Sequence, residues 1–144
     1  MRFYSDSMYI SKKNREIIKQ KFDGLCAYSG TPLEDDWQVD HVKPIVRNWY
    51  DGTVQFEEDH NLENMFPVQK IINHYKGSMD LELFRTWYLC GLHERLKKLP
   101  KNPKVEKSIK RKAYLLKVAE FFDIKPDKPF SGKFYFETVS FNCA

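Results

Sequence analysis

Four residues could do chemistry together: Asp40 and His41, which end a short apolar run, Asn64, which precedes a second short run, and Asn73 beyond it. Cutting a phosphodiester needs a base for water, a cation that neutralises the phosphate and leaving oxygen, and a group that fixes the base in its working tautomer. His41 suits the base, since an unperturbed imidazole titrates near pKa ~6.5. Asp40 offers a hard oxygen of the kind Mg²⁺ prefers. An Asn carbonyl can supply another hard ligand or hold an imidazole nitrogen. Neighbours in a strand point to opposite sides, so one backbone position can carry both a ligand and a base.

These residues need positioning elements. Residues 37–42 alternate as a strand, with Val39 and His41 on one face and Asp40 on the other. Residues 45–63 read as a long loop with a short helical turn near Asp59–Leu62, and Met65–Val68 as a second strand. Residues 69–76 have helical character closed by Gly77. Before them, Ser11 caps a helix that ends near Gly24 and places Ile17, Ile18 and Phe22 on one stripe. After them, Asp80 caps a helix reaching residue 99, with Leu83, Phe84, Trp87, Tyr88 and Leu92 at helical spacing and Cys90 buried among them. A further helix runs from about Lys104 to Phe122, and residues 132–137 read as a closing strand.

The segments Val39-Asp40-His41-Val42-Lys43-Pro44, Asn61-Leu62-Glu63-Asn64-Met65-Phe66-Pro67 and Asn73-His74-Tyr75-Lys76-Gly77-Ser78 resemble the HNH endonucleases. The likeness is strong over about residues 16–85 and weaker to residue 137. A lone Asp-His is weak; followed by Asn before a strand and then Asn-x-x-Lys-Gly, it is specific. The resemblance implies an α+β fold, a ββα-metal core flanked by helices. It implies one domain over residues 1–144, with the core at about 16–85 and a basic helical extension and closing strand at about 86–140. By the same resemblance His41 is the general base, Asn64 orients it, and Asp40 and Asn73 hold one divalent cation, Mg²⁺ or Mn²⁺. His74 is the rival ligand, one place out of register, and Lys76 approaches a phosphate. The substrate implied is DNA, with RNA as the alternative. Many relatives carry a zinc held by two Cys-x-x-Cys pairs. Here those positions are Cys26, Ser29, Gln69 and Ile72, so no structural zinc is expected.

The bland readings stand beside these. His41 alone would be a hydrogen-bonded structural histidine, and Asn61 and Asn64 would be turn or cap residues. Lys43 and Arg47 are either phosphate contacts or solvated charges. The formal net charge is +4, yet the run from Arg95 to Lys112 holds nine Lys or Arg and only Glu106 as an acid. That run, including Lys110 and Arg111, points to the nucleic-acid backbone. Tryptophans and tyrosines at 37, 49, 50, 87 and 88 read as core rather than base platforms, with Trp49 and Tyr50 the least certain. Three cysteines imply no disulfide framework, no apolar run matches a membrane span, and a soluble cytoplasmic protein is expected. A non-catalytic nucleic-acid-binding module and a nuclease toxin or defence effector are the competing functions; oligomeric state is left open.

Overall fold

A computed structural model of the chain describes residues 10–42 and 61–139, together with the backbone of residues 46–47 and 54–55. Lys43, His60, Trp49, Tyr50 and Cys143 lie outside the described residues, as does the side chain of Arg47. The fold mixes helix and strand, as an α+β protein does.

Helix α1 spans Lys12–Lys19, capped by the Ser11 hydroxyl on the Asn14 N–H at 3.1 Å. A 3₁₀ turn, Gln20–Phe22, extends it until Asp23 turns left-handed at φ 54°. Strand β1, Gln38–His41, pairs antiparallel with β4, Met65–Val68, so that Asp40 faces Phe66 and His41 faces Met65. Helix α2, Lys70–Lys76, follows β4 directly.

The loop expected between the two strands is more structured than its composition indicated. It carries its own antiparallel pair, β2 (Val46–Arg47) and β3 (Val54–Gln55). A 3₁₀ turn, Leu62–Asn64, then leads into β4, with Asn61 as its N-cap.

The helix expected to continue from residue 80 to 99 is broken. A short α3, Leu81–Leu83, widens into a π-helix, Phe84–Leu89, and α4 begins only at Leu92–Lys97. The break has a side-chain cause. Arg95 folds back and donates to the carbonyls of Trp87 and Tyr88, carbonyls that a continuous helix would have used. A Cβ at Gly91 would lie 3.2 Å from that guanidinium, so glycine opens the passage. The altered winding leaves Cys90 exposed, contrary to the expected buried thiol, and Trp87 70 % exposed instead of in the core.

Helix α5, Glu106–Phe121, packs on α2 and α4 and buries Leu115, Val118 and Ala119. The expected closing strand is absent among the described residues. Glu137 accepts the Phe134 N–H at 2.8 Å and closes a 3₁₀ turn, Tyr135–Glu137. The segment still lies along residues 27–28, because Tyr135 and Phe136 donate their N–H groups to the Tyr28 and Ala27 carbonyls. Gly30 admits it: its φ is +72°, and a Cβ there would come within 2.6 Å of the Tyr135 ring.

The main core gathers Phe22, Cys26, Tyr28, Phe66, Val68, Ile72, Phe84, Leu115 and Phe134 with their neighbours. A smaller cluster of Ile18, Trp37 and Met65 sits between α1 and the sheet. Each face of the two-stranded sheet is therefore covered. Among the described residues no helix is long and apolar enough to cross a membrane.

Candidate functional site

Strand alternation assigns each residue of β1 to one of these two sides. Asp40 and Gln38 pair with Phe66 and Val68, whose side chains belong to the main core beside α2. His41 and Val39 pair with Met65 and Pro67, and Met65 belongs to the cluster under α1. The strand thus separates the carboxylate from the imidazole, as its period requires.

Helix α2 returns across the Asp40 side. Asn73 Nδ2 donates to Gln38 Oε1 at 2.7 Å, and Lys76 Nζ lies 3.1 Å from Asp40 Oδ2. The spacings match: two residues along a strand face oppose three residues along a helix face. Asn73 therefore faces β1 while His74 is exposed.

Asp40 is 6 % exposed. Its Oδ2 accepts from the Tyr28 hydroxyl at 2.5 Å as well as from Lys76. Burial pushes the Asp40 carboxyl above its ordinary value, while the Lys76 charge and the hydrogen bonds from Tyr28 and Lys76 pull against it. Burial, followed by the adjacent Asp40 charge, pushes the Tyr28 phenol well above the usual tyrosine value.

Lys76 corrects an expectation. It is 1 % exposed and sits inside the protein as the counter-ion of Asp40, so it presents no surface ammonium to a phosphate. Its Nζ also reaches the His41 carbonyl at 3.5 Å, which ties the end of α2 to the end of β1.

Asn64 closes the other edge. Its carbonyl accepts the Val42 N–H at 3.0 Å, extending the β1–β4 pairing one step past His41. Its own N–H donates to Asn61, the expected cap. Lys21, which the sequence analysis did not single out, is 3 % exposed and donates to the carbonyls of Leu62 and Met65. It clamps the turn carrying Asn64 to α1. Tyr28 was also missed; its role depends on a contact with Asp40 that no local pattern encodes.

The donor set suits one hard cation in kind. Asp40 and Asn73 lie on facing elements, and the Asn73 amide uses its nitrogen on Gln38, so a cation there would meet its carbonyl oxygen. Two protein oxygens are enough for Mg²⁺, which keeps several waters. Among the described residues no three His, Cys, Asp or Glu side chains gather into a denser cluster. Lys76 is the competitor of such a cation for Asp40.

The four zinc-clasp positions also converge, with a different chemistry. Gln69 is fully buried and donates to Thr31 Oγ1 at 3.0 Å and the Pro32 carbonyl at 2.7 Å, while its Oε1 accepts the Glu34 N–H at 3.1 Å. Ser29 joins the same network through Thr31 at 2.7 Å. Cys26 and Ile72 lie in the apolar core beside it.

In the basic segment, Lys110 pairs with Glu106 at 3.1 Å on the exposed side of α5, whereas Arg111 lines a cleft with Arg95 and Lys98. No family model matches the chain, and no curated protein or solved structure is significantly similar to it.

Proposed function

We propose that the chain is a metal-dependent endonuclease of the HNH type, with a ββα-metal core built from β1, β4 and α2, acting on DNA. One observation carries this reading: β1 turns Gln38 and Asp40 toward α2, where Asn73 and Lys76 meet them, and His41 toward the opposite side, next to the turn that bears Asn64. A single short strand thus separates a hard-ligand side from a base side. In this mechanism His41 takes a proton from the attacking water. Asn64 braces the strand end from which His41 projects, through its carbonyl bond to Val42. Asp40 and Asn73 would hold one divalent cation, Mg²⁺ or Mn²⁺, which when bound supplies positive charge to the phosphate and the leaving 3′ oxygen. Tyr28 and Lys76 hold the Asp40 carboxylate in one orientation.

A second reading is favoured by a specific observation. Lys76 already neutralises Asp40, which is the arrangement a non-catalytic nucleic-acid-binding module would retain after losing its cation. Plasmid DNA incubated with the protein and Mg²⁺, Mn²⁺ or EDTA separates the two. The nuclease reading expects cutting with either metal, none with EDTA, and loss of cutting in His41→Ala with DNA affinity retained. Binding without cutting by folded protein under every metal condition supports the module instead. Cutting of RNA in place of DNA would keep the chemistry and change the substrate.

A further inference from the structure

Away from Asp40, three cationic side chains gather at one cleft. A cleft of about 280 Å³ between α4 and α5 is lined by Arg95, Lys98, Arg111 and Ser108, with Leu99 and Leu115 among its apolar walls. No acid lines it. The neighbouring lysines 97 and 110 are paired with Glu94 and Glu106, but Arg95, Lys98 and Arg111 form no ion pair among the described residues. Arg95 is held in place by neutral oxygens only: the Tyr75 hydroxyl at 2.6 Å, the Trp87 carbonyl at 3.4 Å and the Tyr88 carbonyl. Those bonds fix the guanidinium without cancelling its charge, which is how a preorganised anion seat is built. The volume is at the low end for ligand pockets, roughly 300–1,000 Å³, and suits a phosphate with its ester oxygens better than a larger cofactor.

The π-helix whose carbonyls Arg95 binds also exposes a large aromatic. Trp87 is 70 % exposed and its carbonyl is bound by the same Arg95 that lines the cleft. An exposed indole on the segment whose backbone the cleft's arginine grips supplies the second element that sequence-tolerant single-strand binding uses: phosphate on the charge, unpaired base on the ring.

We infer that the α4–α5 cleft seats a backbone phosphate of an unpaired nucleic-acid strand and that Trp87 stacks on a base of that strand. This rests on the nucleic-acid reading above and narrows its substrate to one with single-stranded character. Duplex DNA buries its base faces in its own stack, so it can use the seat but not the platform.

The test uses the full chain in EDTA, so that binding is read without cutting. Fluorescence anisotropy with a labelled oligothymidine and with a duplex of equal length is followed against salt for the wild type, Lys98→Gln/Arg111→Gln and Trp87→Ala. Circular dichroism checks the fold of each. Loss of two phosphate contacts should flatten the single-strand slope of log K against log salt by about 1.4. Trp87→Ala should weaken the single strand by roughly 5- to 150-fold and leave duplex affinity unchanged. An unchanged slope, an unchanged single-strand affinity in Trp87→Ala, or equal loss on duplex overturns the inference. Inorganic phosphate that binds with loss in the double variant, while no oligonucleotide binds, assigns the cleft to free phosphate and overturns it too. Cleavage with Mg²⁺ is scored separately. A chain that binds as described and never cuts removes the nuclease reading alone; a chain that cuts with these variants unaffected in binding removes this inference alone.

Discussion

Lys76 brings an ammonium into a site where it is 1 % exposed, and the cost of desolvating it is offset by Asp40 at 3.1 Å. Removing one partner is far worse than removing both, because the survivor stays buried and charged. Lys76→Met should therefore destabilise the protein by about 3–5 kcal/mol in urea unfolding. Lys76→Met combined with Asp40→Asn should recover a large part of that loss, since no charge is then stranded. A double variant no more stable than the single would mean that the lysine acts mainly through its carbonyl contact to His41. At this scale Asp40, His41, Asn64 and Asn73 were singled out by their likeness to a known motif, and the structure sets them on β1, on the turn before β4 and on α2. The inward turn of Lys76 was not legible: Asn-x-x-Lys places both side chains on one helix face, but whether that face meets solvent or β1 is decided by the packing of α2. The matched spacings of Gln38 with Asp40 and Asn73 with Lys76 are the signal that could have found it.

Among the elements, the π-helix and the C-terminal turn depend on each other. Arg85, on the π-helix, binds both carboxylate oxygens of Glu137, at 2.6 and 2.7 Å, and the Gly132 carbonyl at 2.7 Å, with its guanidinium 4.7 Å from the Phe134 ring centre. The hydrogen bonds from Arg85 hold the Glu137 carboxyl below the usual glutamate value, with the Phe134 N–H adding to the effect. A carboxyl depressed in the folded state stabilises above its unfolded pKa, about 4.3 for glutamate, and that contribution is lost as pH falls through the folded value. Thermal melts taken from pH 7 down to pH 3 should show the wild type losing stability over this window. Glu137→Gln should be less stable at pH 7 and lose less on acidification. An identical acid limb in both would show that the pair does not hold the turn. Helix α1 was legible from its Ser11 cap and α5 from its apolar spacing, although α5 has no side-chain cap at its N-terminus. The break after Leu83 was not legible, because its cause is the return of Arg95 across Gly91. The closing strand failed for a related reason: Phe134, Tyr135, Phe136 have strand composition, but Glu137 takes the Phe134 N–H that a ladder would need.

Over the whole molecule, the loop after α1 must be fastened to the start of α2, because the strand pair between them has only four residues in each strand. Metal clasps fasten such junctions by covalent-strength bonds. Here a buried amide does it, with Gln69 using both of its ends on residues 31–34 and Tyr28 contributing from the same loop to the Asp40 site. That three of the four expected clasp positions are not cysteine was visible in the sequence, whereas the Gln69 network was not, since a glutamine before a helix reads as an ordinary surface residue. Two consequences follow for the intact protein. Thermal unfolding in EDTA should superpose on unfolding in buffer if, as expected, no structural zinc holds this junction. Gln69→Ala should remove the three hydrogen bonds the amide makes to Thr31, Pro32 and Glu34, at a cost of about 1.5–4.5 kcal/mol. Because the same loop carries Tyr28, that variant should also loosen Asp40 and lower metal-dependent cutting at temperatures where the chain is still folded. A melting temperature that falls in EDTA would place the fastening in a metal after all, and a Gln69→Ala protein as stable as the wild type would move it from the amide to the apolar contacts of Cys26 and Ile72.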